Sequence, residues 1–188
     1  MASKHVKAAA RAILLLAISL TLAYLIGPGH VHEHIEIGEK APLSLEVRSF
    51  DGKSWPLEHL AAKPLLINFW ATWCPSCTAE LPMLAHFAKE NASHLHVVGV
   101  VIDSPAEEVK NTVQRFGVTY PVAAAPFSVV QAFGAEALPS TYVVDTDHTL
   151  LWRKHGALDK KDLEDISRLL MKPKAERLRE LGKAQHHG

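Results

Sequence analysis

The sequence predicts an α/β domain with a mixed sheet layered between helices, and three observations carry that reading. Short apolar runs at residues 64–70 and 95–102 have the buried-strand pattern, and segments of helical period follow each of them. The later part of the chain reads as a hairpin and then an amphipathic helix, which adds antiparallel strands to the alternation. The 188 residues are 48% hydrophobic and 21% charged, ordinary for one folded domain with appendages and unlike a disordered chain.

Each element has its own signal. Residues 43–47 and 54–57 flank Asp51-Gly52, a hairpin turn dipeptide. The run 64–70 is followed by a helix over 75–90, with Leu81, Leu84, Phe87 and Ala88 on one side. Pro82 removes one backbone N–H of that helix and predicts a kink. After the strand at 95–102, Ser104 as N-cap with Glu107 and Glu108 in the first turn opens a helix over 105–116. A short strand at 120–124 and a short helix at 127–133 come next. Residues 141–145 and 149–155 form a hairpin around Thr146-Asp147-His148. Leu163, Ile166, Leu169 and Leu170 give the helix 159–171 its apolar side. The basic segment after Pro173 reads as a frayed helix without a role.

Residues 12–29 carry no charge and are almost wholly apolar as far as Ile26. At ~1.5 Å per residue, such a helix just crosses a ~30 Å hydrocarbon layer. Lys4, Lys7 and Arg11 precede it, placing the amino end in the cytoplasm and the rest outside. A cleaved signal peptide is the competing reading, but its cleavage site would be Gly27-Pro28-Gly29, with a proline inside it. The expected organisation is a cytoplasmic amino end and signal anchor over 1–29 and a juxtamembrane linker over 30–36. A folded domain over 37–171 and a basic tail over 172–188 complete it. His30, His32 and His34 alternate along the linker, where no scaffold fixes them as metal ligands.

Lys and Arg total 20, as do Asp and Glu, which excludes nucleic-acid binding by bulk positive charge. The balance is uneven, with 12 bases against 18 acids between residues 30 and 171 and basic segments at both ends. Two cysteines are too few for a disulfide-stapled mini-domain or a four-cysteine zinc site.

Both cysteines lie in Trp73-Cys74-Pro75-Ser76-Cys77, where the first buried strand gives way to a helix. At a helix start the Cys74 sulfur meets unsatisfied N–H groups and the positive dipole end, which favour a thiolate. Pro75 falls at the first helical position, where its missing N–H costs nothing. Cys77 returns one turn later, within bonding distance, so the pair can cycle between dithiol and disulfide. A structural disulfide would close a tiny loop and gain little. Half a metal site would need histidines to complete it.

The segment Asn68-Phe69-Trp70-Ala71-Thr72-Trp73-Cys74-Pro75-Ser76-Cys77 resembles the active-site segment of the thioredoxin superfamily. Within it the chain resembles the membrane-anchored TlpA/ResA-like oxidoreductases, the group that includes the CcmG/DsbE cytochrome c maturation proteins. The likeness runs over about 37–171. It includes an opening hairpin, the insert at 104–124, and the loop Leu138-Pro139-Ser140-Thr141. The resemblance implies a thioredoxin-like fold: a mixed central β-sheet flanked by helices, with an N-terminal β-hairpin and a central αβ insert. It also implies an extracytoplasmic thiol–disulfide oxidoreductase of the bacterial inner membrane without a cofactor. Such an enzyme acts on protein dithiols and disulfides, as a reductase in cytochrome c maturation, with apocytochrome c a candidate substrate. A transmembrane thiol reductant or oxidant would be its partner.

Residue by residue, the resemblance makes Cys74 the attacking thiolate and Cys77 the resolving thiol. Pro139 would be cis, with the backbone of Leu138 offered to an extended substrate. Asn68 stands where thioredoxins proper carry a buried aspartate, and it cannot titrate. Glu80, three residues past Cys77, matches an acid of the TlpA/ResA-like group and is the candidate proton relay; otherwise it is a solvated first-turn acid. Trp70 is expected in the core and Trp73 at the active-site surface. A dithiol oxidase would use the same residues. A copper-delivery protein of this fold would space its cysteines by three residues, not two. A peroxidase motif would need Pro and Thr where Ile67 and Ala71 stand.

Overall fold

The computed structural model describes residues 35–185, together with the helical positions Leu15, Leu16 and Ser19. The chain divides into two compact units, residues 1–32 and 33–188, and the architecture that follows is that of the second. Apart from those three positions, the predicted anchor lies outside the described residues, as do His30, His32 and His34. Among the described residues no helix is long and apolar enough to cross a membrane.

Strands β1 (Glu46–Ser49) and β2 (Ser54–Pro56) pair antiparallel across the Asp51-Gly52 turn. Gly52 there takes φ +90°, which an L side chain rarely adopts. The hairpin is shorter than its apolar pattern predicted. The carbonyls of Leu43 and Leu45 accept from Glu58 and Leu57 N–H at 2.9 and 3.3 Å, which ties this segment to the 3-10 turn Leu57–Leu60.

The alternation follows: β3 (Leu65–Trp70), α1 (Pro75–Glu90), β4 (His96–Val101), α2 (Ala106–Arg115), β5 (Val122–Ala124) and α3 (Phe127–Phe133). The hairpin β6 (Ser140–Val144) and β7 (Leu150–His155) and the helices α4 (Lys160–Met171) and α5 (Lys174–Gln185) complete the chain. One seven-stranded sheet has the order β2-β1-β5-β4-β3-β6-β7. β3, β4 and β5 are parallel, while β6 joins β3, and β1 joins β5, antiparallel.

All six residues of β3 are buried, because helices cover both faces of this central strand. Leu65, Ile67 and Phe69 face one core with Val98, Val100, Phe133 and Tyr142. There the rings of Phe69, Phe133 and Tyr142 lie 5.3–5.7 Å apart. On the opposite face Leu66 packs with Leu84, Phe87, Leu163 and Ile166. Trp70 packs there with Cys74, Cys77, Leu81 and Val101. The two-residue period of the strand puts Asn68 on that same face, between Leu66 and Trp70.

Two expectations are corrected. Ser104 is not the N-cap of α2; Pro105 occupies that position with no side-chain cap. The Ser104 hydroxyl instead accepts from Thr72 N–H at 3.0 Å and donates to the Ile102 carbonyl at 2.9 Å. The tail is not a frayed appendage either, because α5 is docked through Arg177. Its guanidinium holds both carboxylate oxygens of fully buried Asp145 at 3.0 Å, and also donates to the carbonyls of Leu170 and Lys172 at 3.1 Å. The folded unit therefore extends past residue 171.

Candidate redox site

Cys74, four residues past the end of β3, is in extended conformation, φ −96° and ψ 106°, and is the N-cap of α1. Its Sγ accepts from the Cys77 N–H at 3.3 Å, and Pro75 sits at the first helical turn. The sulfurs are joined in a disulfide, with the two Cα atoms 5.3 Å apart. Cys77 is fully buried and Cys74 retains 6% exposure. The Leu138–Pro139 peptide is cis, and Leu138 packs against the cluster that contains both cysteines. The Pro139 carbonyl accepts from Gly156 N–H at 2.8 Å. Ser140, next in line, has its hydroxyl within 2.9 Å of His155 Nδ1.

The rim is fixed from the insert between β4 and β5. Trp73 is 59% exposed, and its indole N–H donates to the Asp103 carbonyl at 2.8 Å. Asp103 takes φ 42°, an uncommon value for a residue with a side chain. Thr72 donates its hydroxyl to Glu108 at 2.9 Å. With the Ser104 bridge, these bonds tie the residues before Cys74 to the loop that opens α2. Trp70, in contrast, is wholly buried, as the sequence predicts.

Glu80, one turn past Cys77 on α1, is only 3% exposed. It is not the solvated first-turn acid. Its Oε1 accepts from Asn68 Nδ2 at 2.8 Å, and its Oε2 from Leu158 N–H at 2.6 Å. Asn68 Nδ2 also donates to Thr141 Oγ1 at 3.0 Å. Burial raises the Glu80 pKa above the usual carboxylate value, and the Leu158 and Asn68 hydrogen bonds oppose that rise. Lys154 acts with those bonds, while Asp162 acts against them. Burial, with the charge of Glu80 adding, also pushes the Tyr120 phenol above its usual range.

The spacing from Cys77 singles out Glu80 in the sequence, but its partners were missed. Asn68 and Thr141 carried a signal, since each is a polar residue inside an apolar strand run. Leu158 acts through its backbone and carried none. Helix α1 runs on through Pro82 to Glu90. No group of three or more His, Cys, Asp or Glu suited to a metal ion occurs among the described residues.

Residues 36–170 match the Redoxin family. The chain belongs to that family. Among its relatives, thiol-disulfide oxidoreductase ResA of Bacillus cereus is 28% identical over 159 residues, covering 82% of this chain and 91% of ResA. Thioredoxin-like protein YneN of Bacillus subtilis is 31% identical over 134 residues, covering 69% and 78%. Among solved structures, a thiol:disulfide interchange protein of the thioredoxin family from Chlorobium tepidum TLS is 28% identical, with a TM-score of 0.63. That match covers 73% of this chain and 99% of the other. This Redoxin family member has the thioredoxin-like fold expected from its sequence, and it is a thiol–disulfide oxidoreductase.

Proposed function

We propose that this oxidoreductase is a reductase of protein disulfides, held on the outer face of a bacterial inner membrane by its amino-terminal segment. The observation that carries the reading is the layering of the site. Cys74, which retains 6% exposure, caps α1, and the fully buried Cys77 lies one helical turn before the buried Glu80. In the dithiol form the Cys74 thiolate attacks a substrate disulfide, forming a mixed disulfide and releasing one substrate thiolate. The Cys77 thiol gives its proton to Glu80, and its sulfur attacks Cys74 Sγ. The second substrate thiolate leaves, and two electrons have passed to the substrate as the Cys74–Cys77 disulfide forms. Glu80 is the proton partner for the sulfur that solvent cannot reach.

The backbone of Leu138, beside cis-Pro139, is the docking strand for substrate, and Trp73 is the wall beside it. The names of the ResA relatives support thiol–disulfide exchange, and the TlpA/ResA-like pattern supports apocytochrome c as substrate. A transmembrane thiol donor would return the enzyme to its dithiol form. Reversal of the same steps would make it an oxidase, so the potential of the pair decides the direction.

The deciding experiment is that potential, measured for the full chain in glutathione buffers. A value near or below about −200 mV supports the reductase, and one near about −120 mV overturns it in favour of a dithiol oxidase. The residue roles have their own test. Cys74→Ser abolishes exchange, and Cys77→Ser accumulates a mixed disulfide through Cys74. Full turnover by Cys77→Ser would remove its resolving role.

A further inference from the structure

We propose that the side-chain amide of Asn68 turns over when Glu80 changes protonation state, so that one asparagine serves both forms of the carboxyl. The inference rests on Glu80 exchanging protons with Cys77. It assigns Asn68 as the positioning residue that lets Glu80 do so in a dry site.

The argument begins with donors and acceptors. Both oxygens of Glu80 accept N–H bonds, Oε1 from Asn68 Nδ2 and Oε2 from Leu158 N. That pattern suits the ionised carboxylate. A proton arriving on Glu80 needs an acceptor. The Leu158 N–H can only donate, so the proton belongs on Oε1, where Asn68 now also presents N–H. Left unchanged, two donors would face each other in a buried site, which costs far more than at the surface.

Asn68 carries the remedy in its other half. Among the described residues its buried Oδ1 has no hydrogen-bond partner, while its Nδ2 makes two bonds. Rotation of the amide by half a turn brings Oδ1 to Glu80 Oε1, where it accepts the new O–H. Thr141 Oγ1, which accepts from Nδ2 at 3.0 Å, follows by rotating its hydroxyl and donating to Oδ1. Nδ2 then faces the side that Oδ1 left. Gly99, the register partner of Asn68 on β4, lies across the strand from Thr141, the register partner of Asn68 on β6. A Cβ on Gly99 would lie 3.3 Å from Tyr120 Cε2 and 2.8 Å from Trp70 Nε1, so both rings crowd this spot. The Tyr120 hydroxyl is itself buried without a partner among the described residues, and its oxygen can accept.

An amide is the side chain that fits both states. Aspartate would place a second carboxyl against Glu80, and leucine would offer neither donor nor acceptor. The other titratable groups that interact with Glu80 are Lys154 of β7, Asp162 of α4 and Tyr120 ahead of β5. Lys154 and Asp162 act through charge, and Tyr120 feels the charge of Glu80 in return.

The chain contains three asparagines, Asn68, Asn91 and Asn111, so selective 15N labelling of their side chains resolves the one that matters. The experiment is an NMR pH titration of the oxidised full chain in detergent, following the Asn68 amide and the 13C-labelled Glu80 carboxyl. The expected result is one shared midpoint, across which the amide protons exchange contacts with Thr141 for contacts with Tyr120. Glu80→Gln should hold Asn68 in the turned orientation at every pH, because Leu158 N–H claims the glutamine oxygen and leaves its NH2 for Asn68. Asn68→Leu should raise the Glu80 midpoint by up to about one unit, because the charge-assisted bond lost by the ionised form outweighs the neutral bond lost by the protonated form. Amide contacts that stay constant through the Glu80 midpoint, or an unturned Asn68 in Glu80→Gln, would overturn the switch and leave the Glu80 proton role standing. That role fails separately if Glu80→Gln keeps the parent pH–rate profile, and the switch loses its purpose with it.

Discussion

Glu80 of α1 accepts a 2.6 Å hydrogen bond from the backbone N–H of Leu158, 78 residues further along the chain. This bond ties the helix that begins with the redox pair to the loop that leads into α4, and it does so through an acid that burial holds partly against ionisation.

The first prediction is a trade between stability and turnover at Glu80. Its pKa is raised in the folded protein, chiefly by burial. Between the unfolded carboxylate value of about 4.3 and that raised value, the native state keeps a proton that the unfolded chain has lost. Stability therefore falls as pH rises through this window. Glu80→Gln removes the loss, so the variant should melt higher than the parent at pH 7.5, with the gap closing near pH 4. Its exchange rate should drop by roughly 10²-fold and lose the limb of the pH profile that reports the acid. Paired thermal melts and stopped-flow rates across pH check both halves; equal melting at pH 7.5 would contradict the first.

Gly99→Ala should destabilise the domain although it adds one methyl group to a strand. The new Cβ would fall 2.8 Å from Trp70 Nε1, and that indole is fully buried and cannot step aside. Overpacking of this kind costs about 1–3 kcal/mol. Urea unfolding followed by tryptophan fluorescence reads both the midpoint and the displaced ring. A midpoint equal to the parent's would show that Trp70 has room to move.

Much of this architecture was legible because local chemistry and tertiary need agree. The join of β3 to α1 could be read from an apolar run meeting Cys-Pro, and α3 fills residues 127–133 as its pattern predicts. The capping box of Asp159 and Asp162 starts α4 where the sequence places it. The failures share a cause. Ser104 looks like a cap, but its hydroxyl is committed to Thr72, 32 residues away. The charged run from Lys174 looks solvated, yet Arg177 is buried against Asp145, also 32 residues away. Partners brought together only by the fold leave no local pattern.

The Arg177–Asp145 pair leads to the third prediction. Arg177→Met leaves a buried carboxylate without its bidentate partner, which costs about 3–5 kcal/mol. Adding Asp145→Leu should recover most of that loss, since an apolar pair of similar volume is often neutral or better. Urea midpoints of the two variants and the parent decide it. A single variant as stable as the parent would mean that α5 is not held by this contact.

Trp73 separates binding from chemistry. The side chain is 59% exposed and makes one indole bond to the Asp103 carbonyl, so Trp73→Ala should change stability by no more than about 0.5 kcal/mol. If the ring is a wall of the substrate groove, its removal should slow exchange with a protein disulfide by about tenfold, the size expected when an interfacial tryptophan contributes more than ~1 kcal/mol. Reduction of the Cys74–Cys77 bond by dithiothreitol needs no such wall and should keep its rate. Parallel loss with both reagents would instead place the effect on the disulfide itself, through the Asp103 tether that sets the loop before Cys74.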